Sequence, residues 1–398
     1  MKRIFITIIA ITLLYSITPP LFAKDKKGNE GETMLRKITV NGSNINTLSY
    51  NRLNSESLIN PNNTQNLSKI ENSLESKNNM NIYIANNIDL HLKTAFTYAT
   101  TESTNVEGNI DQGYCDLEFW EGVFFRIGKQ RIAWGTGYAW NPTDSIEPSK
   151  DPAEPKRQNE GVTAFKIVNS SSQSSFTGVI ADVKLKNGEN DWGYGGRFET
   201  LFHNFDLSTS IFHTKDKYII GVDMAGFISN VEIHSEIAAK DRSDKTYINS
   251  SYVQEEKGKG CFVKFVLGGS YVFPSTNTFM IEYYYNGEGY SKTEMDNFIN
   301  SIKNNQGGED LFNPTEMRKN YLMVSFIQPN IANMISTCDT IVWNLDDLSL
   351  MVHSDVSTIL FQDITFTLKH KLNLGKENSE FGIDPVNFNL GIETSVYF

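Results

Sequence analysis

Cysteine is scarce in this chain. The three present, Cys115, Cys261 and Cys338, cannot form a complete set of intramolecular pairs, so a disulfide framework does not hold the fold. No His/Cys spacing of the kind that ligates metal occurs, and no metal site or cofactor is expected. The six histidines (His91, His203, His213, His234, His353, His370) stand in no motif with a nucleophile, so no catalytic residue is assigned and an enzyme is not expected. A barrel hydrolase would need a nucleophile, a histidine and a carboxylate brought together from distant segments. Gly128, Gly135 and Gly137 do not make the G-x-G-x-x-G of a nucleotide loop. No short fixed repeat is present, which excludes a β-helix. The formal charge is −11, and no nucleic-acid partner is expected. Beyond residue 23 there is no apolar run approaching the roughly 20 residues of a transmembrane helix.

What is present begins at the N-terminus. Met1-Lys2-Arg3, an apolar run from Ile4 to Ile17 and Leu21-Phe22-Ala23 read as a secretory signal over 1–23. Residues 24–79 are rich in Asn, Ser and Lys with little apolar periodicity. They are expected to be a largely disordered or loosely ordered segment, or a partial plug of whatever follows. From Met80 to the end, short runs alternate apolar and polar residues with period two. The last is the clearest: Phe388, Leu390, Ile392, Thr394, Val396 and Phe398 share one face, and Asn389, Gly391, Glu393, Ser395 and Tyr397 the other.

These runs number about 16, and every second connection between them is short, whereas the intervening ones are longer on average. The expected fold is therefore all-β: a transmembrane, antiparallel, up-and-down β-barrel spanning 80–398, with short periplasmic turns and long extracellular loops. The terminal amphipathic strand ending on Phe398 resembles the C-terminal signature of Gram-negative outer-membrane barrels. The resemblance implies outer-membrane lipids and the barrel assembly machinery as partners, the latter through Phe398, and a bacterial outer-membrane location. In the 287–320 loop, Ser291 and Glu294 form a capping-box pattern ahead of Met295, Phe298, Ile299 and Ile302 on one helical face, which predicts a short helix over or in the mouth.

The densest stretch is "GKQRIAWGTGYAWNPTD" (128–144), continuing into a loop stiffened by Pro142, Pro148, Pro152 and Pro155. The G-K-Q-R-x-x-W-G-x-G and N-P-T-D pattern resembles alginate-export-type and related Gram-negative porins. It implies a channel for passive diffusion of small polar solutes, with carbohydrate a candidate class, and the 135–160 loop as its constriction. The candidate pore residues are Arg126, Gln130, Arg131, Trp134, Tyr138, Trp140, Asp144, Glu147, Asp151 and Arg157. Cations and carboxylates would face each other across the pore, and the aromatics would offer sugar rings a surface or anchor the barrel at a bilayer interface. A structural role for Arg126 and Arg131, anchoring the loop to the wall, stays open beside this. Lys129 and Arg131 violate the strand's alternation, and a bulge at Gly128–Gln130 is the expected remedy. A homotrimer is the assembly the porin resemblance carries. A non-conducting barrel scaffold for envelope assembly or adhesion is the alternative.

Overall fold

A computed structural model describes residues 37–85, 87–100, 104–155, 160–184, 190–215, 217–332 and 334–398. Eighteen strands make one sheet. They are β1 (Lys37–Leu53), β2 (Ile70–Ala85), β3 (Ile88–Thr100), β4 (Thr104–Trp120), β5 (Val123–Gln130), β6 (Val162–Ser170), β7 (Ser174–Lys184), β8 (Asn190–Phe202) and β9 (Phe205–Thr214). There follow β10 (Lys217–Ile228), β11 (Val231–Ile248), β12 (Gln254–Val272), β13 (Thr278–Asn286), β14 (Asn320–Ile331), β15 (Ile335–Asn344), β16 (Leu350–Phe361), β17 (Ile364–Leu374) and β18 (Val386–Tyr397). Each pairs antiparallel with its sequence neighbours, and β1 pairs with β18 from Ser43↔Tyr397 to Leu53↔Val386. The sheet is thereby a closed antiparallel barrel with no free edge.

Two differences from the sequence reading share one cause. The barrel starts at Lys37 rather than Met80, and its strands number 18. Residues 37–53 and 70–79, expected to be loose or a plug, are wall strands. Their inward positions are Thr39, Asn41, Ser43, Thr47, Glu71, Ser73, Glu75 and Lys77, and even the outward row carries Asn44, Asn46, Asn72, Ser76 and Asn78. Apolar residues hold only part of that row (Ile38, Val40, Leu48, Tyr50, Ile70 and Leu74), and the polar ones between them break the alternation. Backbone pairing on both sides holds them instead, since sheet context outweighs intrinsic propensity. The run Ile82–Ala99 is divided between β2 and β3, which meet at Ala85↔Ile88. The expected bulge at Gly128–Gln130 is absent: β5 pairs in register with β4 from Phe124 to Lys129 and with β6 from Val123 to Gln130, then leaves the wall. The register shift lies across from it, where Lys93 pairs Gln112 and Thr94 pairs Ile110, leaving Asp111 as the extra residue of β4. Lys129 points outward at the end of its strand and pairs with Glu160. The signal segment 1–23 lies outside the described residues.

Outward faces carry large apolar side chains such as Phe165, Ile180, Trp192, Ile220, Leu267 and Ile341, all more than a third exposed. Among the described residues no helix is long and apolar enough to cross a membrane. The apolar core lies inside the barrel, where loops pack on the wall. One layer is α1 (Lys292–Lys303), capped by Ser291 with the reciprocal Glu294 bond of a capping box. Met295, Phe298, Ile299 and Ile302 are its buried face, the four the sequence placed together.

At the barrel seam, the Gly42 amide and carbonyl both bond to Phe398 (2.9 and 3.1 Å). A side chain at 42 would lie 2.4 Å from the Lys77 carbonyl and 2.6 Å from the Phe398 ring. Gly42→Val is expected to destabilise the closed barrel by about 1–3 kcal/mol through overpacking. Reduced thermal resistance of the folded band on an unheated SDS gel is the readout.

Candidate functional site

After Gln130 the chain turns into the barrel, and residues 131–155 cross its interior. The first part lies on the near wall. Ile132, Trp134 and Ile146 pack with Ala164, Val179, Ala181, Val183 and Phe212, and Trp134 meets Phe212 edge-on at 6.1 Å. The chain then wraps two carboxylates from the far wall. Glu236 on β11 accepts the Thr136 N–H (2.5 Å), the Gly137 N–H, the Thr143 N–H (3.2 Å) and the Thr143 hydroxyl (2.8 Å). Glu282 on β13 accepts the N–H groups of Tyr138 (2.6 Å), Ala139 (3.0 Å) and Trp140 (3.0 Å). Both glutamates are fully enclosed by the loop. A buried carboxylate is tolerated when several donors converge on it, and here the loop backbone supplies them.

This arrangement explains the two glycines. Gly135 has φ of +90°, and a Cβ there would meet both Glu236 oxygens at 2.6–2.7 Å. At Gly137 a Cβ would lie 2.0 Å from the Trp140 carbonyl. Only a backbone without side chains can close this tightly on Glu236. Glu282 is itself held by His234, whose Nε2 lies 2.9 Å away while its Nδ1 lies 3.2 Å from Glu232. Beyond the clamp Trp140 stacks on Tyr284 (5.0 Å, 16°), and Glu154 reaches Lys369 on β17 (3.6 Å). In a ring of eighteen, β13 is the eighth strand round from β5, so the loop spans nearly the whole interior.

A second layer lies at the mouth and reaches from the β13–β14 loop to the β1–β2 loop. The buried face of α1 packs with Ile59, Ile248, Tyr290, Met317 and Ile383, joining four different loops and strand ends. Beneath it Glu380 accepts from Thr315 N–H (2.5 Å), Tyr321 hydroxyl (2.7 Å) and the Asn344 amide (2.6 Å). Burial pushes its carboxyl up to about 7.

The wall of β1–β5 is left open. A cavity of about 600 Å³ is lined there by Asn41, Ser43, Asn79, Asn81, His91 and Tyr114, among others. Its charges are tied to one another. Arg126 makes a bidentate pair with Asp116 (2.6 and 2.8 Å) and lies over the Tyr114 ring at 4.0 Å. His91 bonds to Asn81 (2.7 Å), stands 3.5 Å from Asp116 and stacks on Tyr114, and Lys77 pairs with Glu75 (2.9 Å).

The candidates from the sequence thus separate. Arg126 is on the open wall. Gln130 is the buried hinge, donating to the Ala164 carbonyl (3.0 Å). Arg131 reaches Glu147 (3.4 Å), which also accepts the Ile132 N–H (2.7 Å). Trp134 and Trp140 are buried and Tyr138 partly so. The two tryptophans hold the loop to the inner wall and present no free ring surface, while Tyr138 stays partly exposed. Asp144 is turned into its own loop, accepting from Ile146, Glu147 and Trp134. Asp151 is exposed and bonds to the Ala153 N–H (2.9 Å). Arg157 lies outside the described residues. Glu236, Glu282, His234 and Asp116 were not singled out from the sequence. The alternation Glu232, His234, Glu236 within "VEIHSEIAA" was the available signal, because it puts three ionisable groups on one face of a wall strand. Among the described residues no hydroxyl or thiol donates to a histidine ring, and no cluster suited to a metal ion occurs.

No family model and no curated protein matches the chain. Solved structures do. A BenF-like porin from Pseudomonas fluorescens superposes with a TM-score of 0.57 at 9% identity, covering 92% of this chain and 99% of that one. OccK8 (OprE) of Pseudomonas aeruginosa gives 0.57 at 8%, covering 91% and 98%. OccAB1 of Acinetobacter baumannii gives 0.55 at 8%, covering 90% and 96%. The chain therefore has the closed 18-stranded barrel fold seen in outer-membrane porins.

Two outcomes follow. Glu236→Ala leaves the Thr136, Gly137 and Thr143 donors without their acceptor and should weaken loop docking by about 3 kcal/mol or more. Limited trypsin digestion should then cut at Lys150 in the folded barrel, where the parent resists. Burial also raises the Asp144 carboxyl to about 7. A carboxyl whose pKa is higher docked than released, as with Asp144 and Glu380, favours docking at low pH. That advantage is lost as pH rises from about 4 to about 7. The loops should resist trypsin better at pH 6 than at pH 8 once intrinsic protease rates are normalised, and Asp144→Asn should flatten the difference.

Proposed function

We propose that the protein is a bacterial outer-membrane channel passing small polar solutes by diffusion, hydroxyl-rich carbohydrates among them, with the 135–160 loop setting the constriction. The observation that carries this is the asymmetry of the lumen. Its β6–β17 side is occupied by the clamped loop, and its β1–β5 side keeps an amide-lined cavity. Side-chain amides donate and accept at once, matching sugar hydroxyls, and Tyr114 adds an aromatic face. The paired charges of Arg126–Asp116 and Lys77–Glu75 leave this wall nearer neutral than a ring of one sign would be. The fold shared with solved porins supports the channel reading. Outward apolar rows would meet lipid, and the last strand, with Phe398 at the seam, would be the segment handled by the assembly machinery.

The apolar packing of α1 over the mouth favours a second reading, a non-conducting scaffold. Planar-bilayer recording of refolded protein separates the two. The channel predicts discrete conductance steps, and in liposome swelling faster entry of neutral sugars than of carboxylates of equal size. Replacing Asn79 and Asn81 with Ala should slow sugar entry several-fold. Absence of steps from demonstrably folded protein would reject the channel.

A further inference from the structure

The outward surface of β15–β17 carries ionisable groups where its neighbours are apolar. On β15 Ile335, Thr337, Asp339, Ile341 and Trp343 share the outward face, the last two 42% and 39% exposed. On β17 His370 follows Phe366 and Leu368 on the same face. Asp339 pairs in register with Ser354 of β16, and Ser354 with His370. The three form one row crossing three strands, acid to hydroxyl to imidazole, within the length each strand needs to span a bilayer. The Ser354 hydroxyl donates to Asp339. Among the described residues His370 has no hydrogen-bond or ion-pair partner. Hydrocarbon offers nothing to an acid or an unpaired imidazole, and groups so placed mark a surface that protein covers.

We propose that this face is where a second copy of the chain docks, related by a two-fold axis that passes beside Ser354 along the membrane normal. The proposal rests on the membrane location of the proposed function. Such an axis keeps both barrels in the same orientation, with the same end outward. It also reverses the left-to-right order of the row, so that Asp339 comes to the side where the partner's His370 stands, and His370 to the side of the partner's Asp339. One surface thus supplies both halves of two ion pairs, the self-complementarity that an isologous contact requires. Ile341, Trp343, Val356 and Leu368 surround the row and exclude water and lipid headgroups from it. A ring of three would set this face against a different one and leave Asp339 without a His370, so the charge pattern selects a pair over the trimer.

The test uses the full chain, refolded into liposomes, with Cys115, Cys261 and Cys338 replaced by Ser and Ser354→Cys introduced. Copper-phenanthroline oxidation should join copies through the introduced thiol, and glutaraldehyde, which links the many lysines, should give a species of twice the monomer mass and none larger. Asp339→His alone and His370→Asp alone should each lower the yield about tenfold, the effect of losing about 1.4 kcal/mol of pairing. The double exchange Asp339→His with His370→Asp restores complementarity and should restore the yield. Folding of each variant is checked by the shift of its band on heating. Monomer only, a trimeric ladder, or equal linking by the single-charge variants would overturn the proposal. Conductance recorded from the same liposomes reports on the channel separately, so a conducting monomer sinks the dimer and spares the channel.

Discussion

Two buried carboxylates organise this barrel. Glu236 and Glu282 stand on the inner wall far from where the 131–161 loop leaves it, and each is surrounded by loop N–H groups. A closed ring of eighteen strands encloses more space than its own side chains fill. The interior must hold water, a plug or an inserted loop. Here a loop is inserted, and its backbone donors, which an unstructured excursion would leave unpaired, are satisfied by those two acids. Removing the carboxylates would leave both a cavity and a row of buried orphan amides.

The rest of the interior follows from that clamp. With Thr136 to Thr143 fixed against β11 and β13, Trp140 falls onto Tyr284 and Trp134 stays against Phe212, so aromatic stacking extends the hold in both directions. The mouth layer built on α1 ties the β13–β14 loop to the β1–β2 and β17–β18 loops. What remains open is the wall of β1–β5, where Asn, Ser and Gln stand inward and Arg126 pairs with Asp116 and Lys77 with Glu75. The polar composition of that wall and the tight packing opposite are two sides of one division of the lumen.

Much of the fold was legible. Period-two alternation, alternating connection lengths and the terminal Phe398 are local features, and each pointed to the barrel. So did the capping box of α1. The first two strands were not legible, because Asn44, Asn46, Asn72 and Asn78 interrupt an outward row whose apolar members are Ile38, Val40, Leu48, Tyr50, Ile70 and Leu74; their partners, β18 and β3, decide their conformation. The candidate site was half legible. "WGTGYAWNPTD" announced a special loop, and its glycines and prolines fitted one. Its acceptors lie about 100 and 144 residues further on, and nothing in the loop says which wall residues it meets. The tryptophans read as candidate pore surface because their burial depends on Phe212 and Tyr284, which no local pattern links to them.

The central claim is that solute passes along β1–β5 and not along the filled side. Single-channel recording on a cysteine-free background tests this with one thiol at a time. Asn79→Cys should be reached by a charged, membrane-impermeant thiol reagent and the current should fall. Ser325→Cys, on the covered inner wall of β14 with 0% exposure, should leave the current unchanged. Block at Ser325→Cys with none at Asn79→Cys would contradict the account.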